Sequence, residues 1–172
     1  RALADIKRAL GPDWMRVDRQ TVQLNKDADI QVDVQQFRVA LSNNEPSRST
    51  LIEAINLYRA DFLAGFSLRN SLAFEEWQFF EREALRQLLA HALERLIDLC
   101  QDDGDFQNAV VYARRYVSLD PLHESAQRML MQAYTKNGQW TAAVRQYEAC
   151  RRLLEDELGV EPDPLTSSLF NT

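Results

Sequence analysis

Residues 103–159 read DGDFQNAVVYARRYVSLDPLHESAQRMLMQAYTKNGQWTAAVRQYEACRRLLEDELG, and one short phrase occurs in them twice. Gly104-Asp105-Phe106 returns 34 residues later as Gly138-Gln139-Trp140; Ala109 returns as Ala143, Leu119 as Leu153, Leu96 as Leu130, and Ala113 and Tyr116 as Tyr147 and Cys150. A 34-residue period with a Gly-x-aromatic turn followed by small residues is the pattern of a tetratricopeptide-type helix pair. Glycine lets the chain reverse between helices, and the aromatic covers the turn. Alanine at 109 and 143 lets two helix axes approach where a longer side chain would hold them apart. Pro121 suits the first turn of the next helix, with Asp120 as its cap. The expected helices are 105–118, 121–136 and 139–157, with Gly159 closing the last.

The 172 residues carry 26 acidic and 20 basic side chains, a net charge of −6, so the chain as a whole is no general nucleic-acid binder. Any contact with DNA must be local. Cys100 and Cys150 fall on interior slots of the repeat, which points to buried reduced thiols and a cytoplasmic address. No signal peptide or apolar run of membrane-spanning length is present.

Residues 1–10 (RALADIKRAL) read as a helix already in progress, with Leu3, Ile6 and Leu10 as its apolar stripe. No cap precedes it and the first residue is not Met, so the sequence is expected to be cut from a longer one. After Gly11-Pro12-Asp13, Trp14 to Asp18 and Thr21 to Leu24 alternate as a hairpin around an Asp18-Arg19-Gln20-Thr21 turn, and Ile30, Val32 and Val34 alternate as a third strand. Helix, hairpin, strand is how a winged-helix domain ends. In such domains the helix enters the major groove and the hairpin tip touches phosphates, which makes Arg1, Arg8, Arg16 and Arg19 the candidate DNA contacts. A solvated face balanced by Asp5, Asp13 and Asp18 explains the same arginines equally well.

Residues 42–50 (SNNEPSRST) form a polar linker, taken as the boundary. Thr50 with Glu53 reads as a capping box starting a helix that runs to Ala64, stopped by Gly65. A long helix from about 73 to 100 follows, with Phe74, Trp77, Phe80, Ala84, Leu88, Ala92, Leu96 and Leu99 at helical steps, apolar enough to be buried on more than one side. After the repeat, Glu161-Pro162-Asp163-Pro164 forms an elbow, and Leu165 to Phe170 start a short helix whose Leu169 and Phe170 lid the core.

Several blocks together resemble one known family: Leu57-Tyr58-Arg59-Ala60-Asp61-Phe62-Leu63; Trp77 with Glu81-Arg82-Glu83-Ala84-Leu85; Leu119-Asp120-Pro121-Leu122-His123-Glu124; Leu130-Met131 with Tyr134 and Gly138; and Leu158-Gly159-Val160-Glu161-Pro162 with Thr166. In this order they are similar to the bacterial transcriptional activator domain, the tetratricopeptide-like module of the Streptomyces antibiotic regulatory protein family. The resemblance runs from about residue 33 to the end. Residues 1–32 resemble the last part of that family's winged-helix domain through Ile6-Lys7-Arg8-Ala9-Leu10-Gly11 and the hairpin. It implies a bacterial activator whose winged helix binds promoter DNA and whose helical module dimerises, contacts the transcription machinery or receives a signal. The winged helix lacks its first helices here and the closing helix stops at Thr172, so this chain alone is expected not to bind DNA well.

Enzyme chemistry finds no support in the residues. There is no phosphate-binding glycine loop, metal-ligand spacing or nucleophile elbow. His91 and His123 are isolated, and Glu75, Glu76, Glu81 and Glu83 read as a solvated face with the first two favoured by the helix dipole. Neither enzymatic activity nor a cofactor is expected. A binding surface is. The first helices of stacked pairs line a concave side, where register places His91, Glu94 and Asp98 beside Arg128, Gln132 and Lys136 as partner-binding candidates, or as ion pairs with one another.

The expected fold is therefore mainly α: a tetratricopeptide-like antiparallel helix-pair array (33–172) preceded by a small β-hairpin, the winged-helix remnant (1–32). Three functions compete. One is a transcriptional regulator whose partners are promoter DNA in the full-length protein and RNA polymerase subunits or a second copy. The second is a peptide-binding adaptor, favoured if the residues before 33 join the helical array. The third is a regulatory module fused to an enzyme such as an ATPase or cyclase.

Overall fold

The computed structural model describes residues 2–25 and 27–169. Arg1 and Phe170, a candidate DNA contact and half of the expected lid, lie outside them. Helix α1 (Ala2–Leu10) leads through a 3-10 turn (Pro12–Trp14) into strands β1 (Met15–Val17) and β2 (Val22–Leu24), and the rest is helical: α2 (Asp33–Ala40), α3 (Arg48–Leu57), α4 (Leu72–Asp102), α5 (Phe106–Leu119), α6 (Glu124–Lys136), α7 (Trp140–Leu158) and α8 (Pro164–Ser168). From α2 to α7 each helix packs on the next in chain order. That is the nearest-neighbour stacking of a repeat array.

The repeat holds at the level of single hydrogen bonds. Gly104 and Gly138 leave their helices at φ 73° and 72°, a left-handed geometry that favours glycine. In each turn the next residue's N–H then reaches back five positions, Asp105 to the Cys100 carbonyl and Gln139 to the Tyr134 carbonyl, both at 2.8 Å. Ala109, Ala113, Ala126, Ala133 and Ala143 are all fully buried, so the small-residue slots are where helix axes meet. Both cysteines are buried and free. Burial pushes the Cys150 thiol up to about 11.

Five boundaries differ from expectation. Residues 30–34 form no third strand, and the described sheet is the β1–β2 pair with Met15 opposite Leu24. Helical spacing of Val34, Phe37 and Leu41 wins because Phe37 has a core to enter: it is 2% exposed, and its ring lies 5.8 Å from that of Tyr58. The polar 42–50 stretch consequently joins two helices that pack together. Helix α3 begins earlier than Thr50, capped by Ser47, whose Oγ accepts from the Thr50 N–H at 3.2 Å.

It also ends at Leu57 instead of Ala64. Beyond it the chain turns on itself, with Leu63 at φ 50°. Tyr58 Oη donates to Asp61 at 2.9 Å, and Arg86 of α4 grips the same carboxylate at 2.9 and 2.6 Å. That fork holds Asp61 below the usual carboxylate range, chiefly through the Arg86 hydrogen bonds. Pro121 lies in the turn before α6, which starts at Glu124, and Asp120 accepts from the Leu122 N–H at 3.0 Å.

In α4 the buried stripe keeps Ala92 and Leu96 of the expected one and is otherwise rotated from it. Leu85, Leu89, Leu93, Leu96, Ile97 and Cys100 face the core. Trp77 and Phe80, on the expected stripe, are 47% and 68% exposed.

Candidate functional site

A groove opens between α4 and the α5–α6 turn. His91 and Glu94 project from α4, one turn apart, and Tyr116 of α5 donates its hydroxyl to Glu94 Oε1 at 2.7 Å. The Tyr116 ring packs 5.6 Å from that of His123, which precedes α6. These residues, with Glu83, Arg86 and Pro121, line a groove of about 680 Å³. Burial, with Glu94 as acceptor, holds the Tyr116 phenol above its ordinary range, so it stays a donor.

One turn further on, Asp98 continues the carboxylate row. Burial, then the neighbouring Asp102 and Glu94, push its pKa up. Lys136 of α6 opposes that shift, though its ammonium donates to the Gln101 side chain. The groove is thus edged by Glu83, Glu94 and Asp120, with Asp98 beside it. Its cation Arg86 is committed to Asp61.

The six groove candidates therefore fall in three places. His91 and Glu94 share the groove, with Asp98 beside it. Gln132 and Lys136 line a separate depression of about 430 Å³ with Met131, Trp140 and Leu169. Arg128 faces neither. Its guanidinium donates to Asp163 Oδ2 and Thr166 Oγ1, both at 2.9 Å, and is only about one-fifth exposed.

The reason lies in the elbow. Asp163 caps α8 by accepting from the Thr166 N–H at 2.9 Å, and Glu124 accepts from the Asp163 N–H at 2.9 Å. A carboxylate pair at that junction requires a cation, and Arg128 supplies it. The Asp-Pro-x-Thr cap was the readable signal for this contact. Tyr116 and His123 went unassigned to the groove because nothing local marks a phenol that reaches across to another helix.

At the other end, Arg16 lies in β1, Arg19 in the turn leading to β2, and Arg8 on α1. Arg8 and Arg16 each have an acidic partner. Arg8 lies 3.4 Å from Asp5, Arg16 pairs with Asp27, and the turn holding Arg19 is tied by Asp18, whose Oδ1 accepts from the Gln20 and Thr21 N–H groups, both at 2.7 Å. Leu3, Ile6, Trp14, Val22 and Leu24 stand 37–59% exposed around these elements.

Comparison with known proteins decides the family. The family model described as bacterial transcriptional activator domain matches residues 28–172. The chain belongs to that family. The match begins five residues ahead of the expected 33 and leaves α1 and the hairpin outside it. The chain is 30% identical over 122 residues to the regulatory protein AfsR of Streptomyces coelicolor, covering 69% of this chain and 11% of that protein. With the regulatory protein AfsR of Streptomyces griseus it shares 24% over 159 residues, 90% of this chain and 15% of that one. The chain thus spans a small part of the relatives it matches. Among the described residues no helix is long and apolar enough to cross a membrane.

Proposed function

We propose that the chain is the protein-contact module of a bacterial transcriptional activator of the Streptomyces antibiotic regulatory type, with residues 1–32 as the last part of a winged-helix DNA-binding domain and 33–172 as the contact module. One observation carries the reading: a helix and hairpin bearing Arg8, Arg16 and Arg19 directly precede the activator-domain array in the same chain. The adaptor reading would have gained ground had those residues joined the helical stack; they form α1 and a two-stranded sheet. In this assignment the whole protein binds promoter DNA and the array engages the transcription machinery. The acid-edged groove at His91, Glu94 and Tyr116 favours a basic segment of the partner. The chain offers a contoured surface in place of a reaction centre, and needs no cofactor.

The test joins the chain to an unrelated DNA-binding domain and reads a reporter gene carrying that domain's operator. Activation of several-fold is expected, with Glu94→Lys together with Asp98→Lys removing at least half of it. A wild-type fusion that activates nothing overturns the proposal. The chain alone, titrated against promoter DNA at rising salt, is expected to hold no sequence tightly; a salt-resistant complex of nanomolar order with one promoter overturns the assigned division of labour.

A further inference from the structure

Between α5, α6 and α7 buried alanines let the helices close on one another, whereas between α2 and the 57–64 turn a hollow of about 320 Å³ stays open. Its floor is apolar. Phe37 and Leu85 are each 2% exposed, and the partly buried Val34, Leu57 and Phe62 pack on the same core beside them.

The wall over that floor is held in place by other elements. Residues 58–64 form neither helix nor strand, yet side chains from α4 and α5 tie them down. Arg115 of α5 donates to the Ile55 and Tyr58 carbonyls at 2.8 and 2.5 Å, Arg86 of α4 forks onto Asp61, and Gln78 of α4 donates to the Leu63 and Phe66 carbonyls. Arg38 of α2 pairs with Glu81 of α4, which fixes the helix that borders the hollow. Leu63 stands at φ 50°, a left-handed conformation that a leucine keeps only where its surroundings impose it. The hollow is therefore formed by the folded chain itself, as small-molecule sites usually are.

Size and charge narrow the ligand. The volume is about ten times a water molecule's share of the liquid, so it holds roughly ten non-hydrogen atoms. Three charged residues stand at the opening, Asp33, Arg59 and Asp61. Asp61 is taken by Tyr58 and Arg86, and Asp33 accepts from the Val34 N–H at 2.7 Å. Arg59 is exposed and has no hydrogen-bond or ion-pair partner among the described residues. An uncommitted guanidinium above an apolar floor matches a carboxylic acid, its chain in the hollow and its carboxylate on the guanidinium fork. The two aspartates at the same opening set a limit, because a second negative charge on the ligand meets theirs.

We infer that the hollow between α2 and the 57–64 turn binds a small apolar monocarboxylic acid, with Arg59 holding the carboxylate. This site shares no lining residue with the acid-edged groove and does not depend on the protein-contact reading.

Nuclear magnetic resonance titration of the intact chain with octanoate, which has ten non-hydrogen atoms, tests the assignment. Octanamide, octylammonium and the dicarboxylate octanedioate are the matched neutral, cationic and doubly charged probes. Octanoate is expected to give saturable shifts confined to residues 33–37 and 57–64, with a dissociation constant below about 1 mM. The other three are expected to bind at least about tenfold more weakly. Arg59→Gln, at an exposed position, is expected to bring octanoate down to the level of octanamide and leave the melting temperature unchanged. Val34→Phe fills the hollow and is expected to abolish binding. Octanoate without saturable shifts at about 10 mM overturns the inference. So do equal affinities for all four probes, octylammonium binding more tightly than octanoate, or an Arg59→Gln chain that binds octanoate like wild type. A failed titration leaves the reporter test of the activator reading untouched, and a silent reporter leaves an Arg59-dependent octanoate site standing.

Discussion

The two halves of α4 are written in nearly the same apolar vocabulary and meet opposite fates. From Leu85 to Cys100 the stripe Leu85, Leu89, Leu93, Leu96 and Cys100 is at most 2% exposed, because α3 and α5 pack along it. From Leu72 to Phe80 comparable side chains stand in water, because the turn at 58–71 covers only one side: Phe62 meets Trp77 edge-on at 5.4 Å, and Gln78 donates to the Leu63 and Phe66 carbonyls at 3.1 and 3.2 Å. Hydrophobicity therefore decides that a residue wants cover, and topology decides whether its own chain supplies it.

The comparison breaks most sharply at Leu93 and Phe80. Leu93 is fully buried in the centre of the array, so Leu93→Ala is expected to lose about 2–5 kcal/mol through lost transfer energy and an unfilled cavity. Phe80→Ala in the dilute monomer is expected to stay within about 0.5 kcal/mol, because its ring was never withdrawn from water. Chemical denaturation of both variants checks the pair; similar losses would show that the first turns of α4 are covered in the monomer.

The next effect concerns helix approach. Ala109→Trp and Ala143→Trp are each expected to lose about 1–3 kcal/mol or more, since both positions are fully buried where neighbouring helices meet. Unchanged melting temperatures in both would place the helix contacts elsewhere.

The repeat was legible because its signals are local and redundant. A glycine, an aromatic and two alanines recur at fixed spacing, and each has a separate physical reason to be there. Gly159 and the hairpin were legible for the same cause. What misled was periodicity without a partner to test it. Tyr58 and Phe62 keep helical spacing after Leu57, yet Tyr58 serves a turn held by Asp61 and Arg86. Ile30, Val32 and Val34 alternate like a strand, yet Phe37 draws the following residues into α2. Ser47, Ser49 and Thr50 all qualify as caps, and only packing chooses between them. In the groove, Glu94 and His91 were placed by register, whereas Arg128 was lost to an elbow 35 residues away.

The smallest expected effect is carried by titration, and it sharpens the same comparison, because the Tyr58–Asp61–Arg86 network is the polar lock between the covered and uncovered halves of α4. Asp61 is held below its ordinary range by Arg86 above all, so the folded chain binds that proton less tightly than the unfolded one. Its contribution is fully present above the unfolded carboxylate pKa and is lost as pH falls through the depressed folded value. The carboxylate is about one-third exposed, so solvent screening limits the ion pair to roughly 1 kcal/mol at neutral pH. Tyr58 titrates at the other limb. Burial, then Asp61, push it up to about 12, so its contribution is present below pH 10 and fades between 10 and 12. Asp61→Asn is expected to lie below wild type at pH 7 and to converge with it on acidification. Tyr58→Phe is expected to flatten the alkaline limb and, by removing one of the donors to Asp61, to shrink the acid limb without abolishing it, since Arg86 remains. Parallel stability curves for Asp61→Asn and wild type from pH 7 to 2 would mean that the Arg86 fork contributes nothing to holding the 58–64 turn, and that aromatic packing of Phe62 on Trp77 fixes it alone.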